Sequence, residues 1–395
     1  MRERPKFIRA VLAVMAVSVL VAACSSAATP APTAAPTAAP TAAATEAPAA
    51  GVSDKAKEVT FPWGTFKLAQ RVIDKAAKGE DLNLVVSNQG TAIPVFGAEQ
   101  LIGVDRGCEA SSDRGLNIKC RLAGPATTDM TAQLSELETL LGSDQVDCLG
   151  LGSLQPDTYV DIVNKYMAAG IPVFTQNTDV PSSNRIAFFA LNERDAGKAN
   201  GITTANLVKK LGLKIDTIAG GSGQPAGTWA QDRYGGFIEG YKTVFPDAKF
   251  FNDEKGLLPS GSPDFTVQQV IDQTGPFLKG NPNVNLFFHT DQGIEGVGEV
   301  IKRQGLSGKV WASGFNVSFP ILDSIDAGDT LVTINQGFDN QAEAAILACV
   351  DFLADGKYPA DPLAYLDPVI VTKDGGEGLN SAADQRAHLK VVLGE

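Results

Sequence analysis

Histidine is scarce in this chain: His289 and His388 are the only two in 395 residues. The five cysteines include no C-x-x-C pair and no close His/Cys set, so no spacing points to a metal site. There is no G-x-S-x-G elbow, no phosphate-binding G-x-x-x-x-G-K-[ST] loop and no G-x-G-x-x-G. Ser222 stands between glycines, but no motif histidine accompanies it as a base. These gaps argue against a secreted α/β hydrolase, and no cofactor is expected. Basic residues are outnumbered, 33 Lys and Arg against 45 Asp and Glu, for a net charge of −12. Such a balance excludes nucleic-acid binding and an anionic substrate gathered by a general field.

The first residues are organised for export. Arg2, Arg4, Lys6 and Arg9 precede an apolar run, Val11 to Ala23, broken only by Ser18 and too short for a comfortable bilayer span. Val21-Ala22-Ala23-Cys24 resembles the bacterial lipobox, which implies acylation of Cys24 and a lipid-anchored, extracytoplasmic or periplasmic protein of the cell envelope. Residues 1–23 are thus assigned to a lipoprotein signal peptide. The following stretch repeats PTAA and carries almost no large apolar side chain, so it cannot form a core; residues 24–58 are read as a semi-rigid spacer.

From Leu82 onward, short apolar runs alternate with amphipathic ones. Candidate strands are 82–87, 116–122, 146–151, 171–175 and 186–191, then 215–220, 248–251, 284–288, 310–314, 331–335 and 368–372. Met130, Leu134, Leu137 and Leu141 share a helical face, as do Tyr159, Ile162, Tyr166 and Met167. Apolar strands alternating with helices imply parallel sheets covered on both sides. About eleven strands exceed one compact lobe, so an α/β protein of two doubly wound lobes is expected. An additional helix is predicted over 66–78. Export permits disulfides: Cys108 and Cys120 are close enough in sequence to be bridged, whereas Cys148 and Cys349, in apolar patterns, read as buried free thiols.

In doubly wound sheets ligands bind beyond the carboxyl ends of the strands. The segments there are rich in Asn, Asp, Gln and Arg: "NQGTAIPVF", "QNTDVP", "GSGQPAGTWAQDRYGGF", "HTDQG", "FNVS" and "QGFDN". Planar two-pronged groups suit vicinal hydroxyls, and the aromatic rings among them suit the C–H faces of a sugar. His289, which follows an apolar strand, reads as a structural histidine.

The run from "ATTDMTAQLSELETLLGSDQVDCLGLGS" through "YMAAGIPVFTQNTDVP", "FFALNERDAGKANG", "GSGQPAGTWAQDRYGGFIEGYK", "NPNVNLFFHTDQGIEGVGEVIK" and "SGFNVSFPILDSIDAGDT" closely resembles the ribose-binding type of sugar-binding proteins, periplasmic binding protein type I, over residues 80–372. The resemblance implies two lobes joined by three crossing segments, with hinges near Asn192, Gln336 and Asp367. The lobes would comprise 59–192 plus 337–367 and 193–336 plus 368–395. It implies a non-catalytic, monomeric protein that takes a monosaccharide or polyol in the cleft and passes it to the permease and ATPase subunits of an ABC importer. A sensory module serving a membrane kinase or chemoreceptor is the alternative. Matching positions give the candidate ligand-binding residues: Arg233, Asp291, Asn316 and Gln336, with Asn177 where the family usually has aspartate and Asp179 two residues on. Phe96 stands in "TAIPVF", where the family typically has Asn-Pro-Phe-Phe, and Trp229 is a further aromatic candidate.

Overall fold

The computed structural model describes residues 51–262 and 266–395. The signal segment, Cys24 and the spacer up to residue 50 lie outside the described residues. Order begins earlier than the predicted spacer end. Val52 is buried, and the Ser53 amide donates to the Leu353 carbonyl. The predicted helix over 66–78 is also shorter than expected: Glu58–Phe61 and Gly64–Lys67 form an antiparallel hairpin, and the helix occupies Gln70–Ala77. Alternation decides this, because Val59, Phe61 and Phe66 all point inward from the hairpin.

Two sheets carry the rest. The first runs, edge to edge, Leu363–Tyr365, Phe188–Ala190, Val173–Gln176, Cys148–Gly152, Leu82–Ser87 and Ile118–Ala123, with every pairing parallel. The second has the parallel core Thr330–Asn335, Trp311–Phe315, Val284–His289, Thr217–Ser222 and Leu258–Pro259. Its other edge is mixed, because Val369–Thr372 pairs antiparallel to Thr330–Asn335 and is followed by Leu379–Ser381 and then, at the edge, Asp374–Gly376. The predicted strand 248–251 is only an isolated bridge from Phe250 to Ile218, and Leu258–Pro259 takes the edge place. In both sheets the first strand in sequence lies between the second and the third, so each has a switch point beside that first strand. The chain passes between sheets after Ala190, after Asn335 and after Tyr365, which gives the three crossings.

The first lobe has one continuous apolar core. The second has two, one on each face of its sheet. Cys108 is bonded to Cys120, and Cys148 is bonded to Cys349. The second bond corrects the free-thiol reading: Cys349, on the helix Phe338–Asp355, comes down on the strand that carries Cys148. An apolar setting accommodates a thiol and a disulfide equally well, so sequence pattern does not separate them. No helix among the described residues is long and apolar enough to cross a membrane.

Candidate functional site

A cavity of about 170 Å³ lies where the carboxyl ends of the two sheets face each other. It is smaller than the roughly 300–1,000 Å³ pockets that hold drug-sized ligands, a size suited to one small molecule. Phe96, Asn177, Trp229, Arg233, Asp291, Asn316 and Gln336 all line it. Outward it opens into a wider mouth of about 760 Å³ between residues 154–158 and 223–229.

Arg233 is fixed by protein groups alone. Its helix, Thr228–Val244, packs against Glu193–Leu211 at glycine contacts. A Cβ on Gly197 would meet the Arg233 carbonyl at 2.1 Å, and one on Gly236 would meet the Arg194 carbonyl at 2.0 Å. That approach puts Glu193, the first residue of its helix, beside the guanidinium. Nε donates to Glu193 Oε2 at 2.6 Å, and Nη2 donates to Glu193 Oε1 at 2.8 Å and to Gln336 Oε1 at 2.7 Å. Nη1 donates to the Thr290 carbonyl at 2.9 Å. Four of the five N–H donors of an arginine are thus used, leaving one on Nη1. The guanidinium carbon lies 4.4 Å from the Phe315 ring centre and 4.9 Å from that of Trp229. Arg233 is therefore buried and paired in this structure, not the solvated side chain that an open cleft suggests.

Asp291 is equally committed. Its carboxylate accepts from Ser222 Oγ, the Gly223 amide, Thr290 Oγ1 and the Gly293 amide, at 3.0 to 3.2 Å. It holds the loop that starts the helix Ile294–Arg303 while showing one edge to the cavity. Gln336 Nε2 donates to Asn316 Oδ1, which fixes both amides. His289 is structural, as expected, with Nε2 2.9 Å from the Ser260 carbonyl oxygen.

Asp179 departs from the reading. It does not line the cavity; Arg185 grips both its carboxylate oxygens, and Thr175 Oγ1 and the Val180 amide donate to it. The turn-forming role explains why an acid stands before Pro181. Asn177 and Asn316 hold φ of 63° and 75°, and Val95 holds 66°. Three of the four non-glycine residues with positive φ among the described residues thus line the cavity, which concentrates backbone strain there.

Sequence reasoning missed Asn88, Gln89, Glu99, Glu193 and Phe338. Gln89 is placed by a relay in which its Nε2 donates to Tyr159 Oη, which donates to Gln133 Oε1. Gln133 in turn donates to Ser87 Oγ and the Gly152 carbonyl, tying together the two strands at the switch point. Phe338 meets Phe96 edge to face at 4.7 Å. Glu99 is fully buried, and burial pushes its pKa up.

Two lobes with a small cavity between the carboxyl ends of their sheets define the class, and comparison names the family. The family described as "Periplasmic binding protein domain" matches residues 84–357, and the chain belongs to it. Among solved structures, it is similar to AraP, an arabinose-binding protein from Geobacillus stearothermophilus (20% identity, 74% of this chain and 97% of that one, TM-score 0.62). It is also similar to an ABC transporter solute-binding protein from Burkholderia graminis in complex with D-arabinose (19% identity, 74% and 96%, TM-score 0.62). A third similarity is to the XylFII–LytSN complex (21% identity, 74% and 98%, TM-score 0.60). No curated protein matched by sequence.

Proposed function

We propose that this protein is a non-catalytic solute-binding lipoprotein that captures a monosaccharide or small polyol between its lobes and delivers it to the permease and ATPase of an ABC importer. The observation that carries the reading is the cavity wall. One guanidinium fixed between two rings, a set of amides and the Phe96–Phe338 pair surround a space sized for one sugar ring. In this reading Cys24 bears the lipid, residues 25–50 form the spacer, and the crossings near Asn192, Gln336 and Asp367 act as hinges that close around ligand. Mass spectrometry of the ligand co-purifying with the protein, followed by thermal-shift screening of neutral pentoses, hexoses and polyols, is the test. Stabilisation by one sugar, with compaction in small-angle scattering, is the expected result. No stabilisation by any of them would end the sugar reading.

The structural likeness to the XylFII–LytSN complex favours one alternative, a sensory module that presents ligand to a membrane partner. Genes for an ATPase and a permease beside this one support import; a histidine kinase gene in their place supports sensing.

A further inference from the structure

Two buried polar atoms of the cavity wall have no hydrogen-bond partner in the protein, Nδ2 of Asn88 and Oε2 of Glu99. Unpaired buried polar atoms are costly, and a wall that keeps a donor and an acceptor open is arranged for a partner of its own. The other oxygen of Glu99 is already held. Asn335 Nδ2 donates to Oε1 at 3.4 Å, and His388 Nε2 lies 3.3 Å from it. Glu99 belongs to the first lobe, whereas Asn335 and His388 belong to the second, so a carboxylate of one lobe is held by the other.

The other groups around this contact are Asp339, Arg106 and Gln385. Arg106 is paired with Asp339 and Glu343, and Gln385 accepts from Asn335. Glu99, Asp339 and His388 lie close enough to suggest a cation site, but the Arg106 guanidinium already supplies positive charge to Asp339.

We propose that Glu99 is a ligand contact: its Oε2 accepts a hydrogen bond from a hydroxyl of the bound sugar, and His388 acts as a positioning residue that holds Oε1 and favours the ionised carboxylate. Asn88 offers an N–H to a hydroxyl of the same ligand. This inference rests on the sugar reading and sharpens it. Glu99, Glu193 and Asp291 face the cavity against one cation, Arg233, whose charge is already met by Glu193. A ligand with a carboxylate is rejected, and its neutral parent is accepted.

The pH profile follows from the same pair. Hydrogen bonding to Glu99 raises the His388 pKa, and burial raises that of Glu99. Affinity falls on the acid side as Glu99 is protonated and loses its acceptor. It falls on the alkaline side as His388 loses the proton that supports the carboxylate.

Calorimetric titration of the wild type, Glu99→Gln and His388→Gln with D-allose, D-arabinose and a panel of other neutral pentoses and hexoses is the test. For a sugar that binds the wild type, Glu99→Gln is expected to weaken affinity about tenfold or more at neutral pH. Its melting temperature without sugar should not fall, because a neutral amide is cheaper to bury than a carboxylate. His388→Gln should flatten the alkaline limb of the affinity profile, and the uronic acid of the bound sugar should not bind. Unchanged affinity in Glu99→Gln would overturn the contact while leaving the sugar reading intact. A wild type silent toward every neutral sugar would overturn both.

Discussion

The two lobes share one strand order but are held together by different means. The first carries both disulfides and is strapped by the N-terminal hairpin, whose Phe66 packs on Phe352. The second contains no disulfide among the described residues. Its sheet face rests instead on stacked rings: Phe237 lies 4.3 Å from Phe288 and Tyr234 5.6 Å from Phe288, with Tyr241 beside Phe237. The cavity divides the same way. The second lobe presents groups already bonded within it, Glu193 with Arg233 and Asp291 with Ser222 and the Gly223 amide, whereas the unpartnered atoms of Asn88 and Glu99 belong to the first. One wall is finished by the protein alone, and in the proposed complex the other is completed by the ligand. A preorganised wall loses little freedom on binding, and an unfinished one gains most from the right partner.

Removing the long-range bridge should disturb this contrast most. Replacing Cys148 and Cys349 together by alanine is expected to cost about 4–5 kcal/mol, because the bridge closes a very long loop. Scanning calorimetry should then show the first lobe melting ahead of the second. A single unshifted transition would mean that the bridge adds nothing to the lobe. The next largest effect concerns the finished wall. Arg233→Ala removes the only charged partner of the Glu193 carboxylate among the described residues and is expected to cost roughly 3 kcal/mol of stability without ligand, as well as weakening sugar binding by about 2–3 kcal/mol. Chemical denaturation and calorimetric titration measure the two separately. A stability loss with unchanged affinity would make Arg233 purely structural.

Two smaller effects sharpen the comparison. His388 and Glu99 both have pKa values raised in the folded state, His388 by its hydrogen bond to Glu99 and Glu99 by burial. The raised histidine contributes stability that is full below its ordinary 6.5 and is lost as pH rises through the folded value. The raised carboxyl acts in the same direction, its contribution being full below 4.5 and lost as pH rises through its own folded value. Melting temperature should therefore gain from these two groups as pH falls from alkaline through neutral, and His388→Gln should remove the upper part of that gain. Least of all, Asn177→Gly should change stability by no more than about 0.5 kcal/mol, since glycine adopts the positive φ freely. Affinity for the identified sugar decides the role of Asn177: a clear loss marks its amide as a contact, and none marks the residue as a turn former.

The alternation of apolar strands and amphipathic helices made both sheets legible in the sequence, because a parallel strand buried on two faces has little choice of composition. The polar segments at the strand ends were equally plain, and they brought seven of the eight proposed residues to one cavity. Partnership between distant residues was not legible. Asp179 read as a ligand contact because nothing local reveals that Arg185 folds back on it. Glu99 and His388 stand 289 positions apart, with no periodicity linking them. One signal was present and unused: glycines four apart in "GKANG" and "GFIEG" mark two helices able to touch backbone to backbone, which is how Glu193 reaches Arg233. At the mixed edge of the second sheet the strand at 368–372 was legible, but its antiparallel pairing was not, and the three-residue strands Asp374–Gly376 and Leu379–Ser381 are too short to show a pattern.

The distance between Cys148 and its partner bears on how the molecule is made. As the chain is made, Cys108 and Cys120 meet within 12 residues, but Cys148 must wait for a cysteine 201 positions later. Until then three thiols share the partly built first lobe, and any early oxidation that joins Cys148 to either neighbour traps the wrong pair. Correct maturation therefore depends on the nearer pair closing first, or on a thiol exchanger that reopens mistakes before the second lobe is complete.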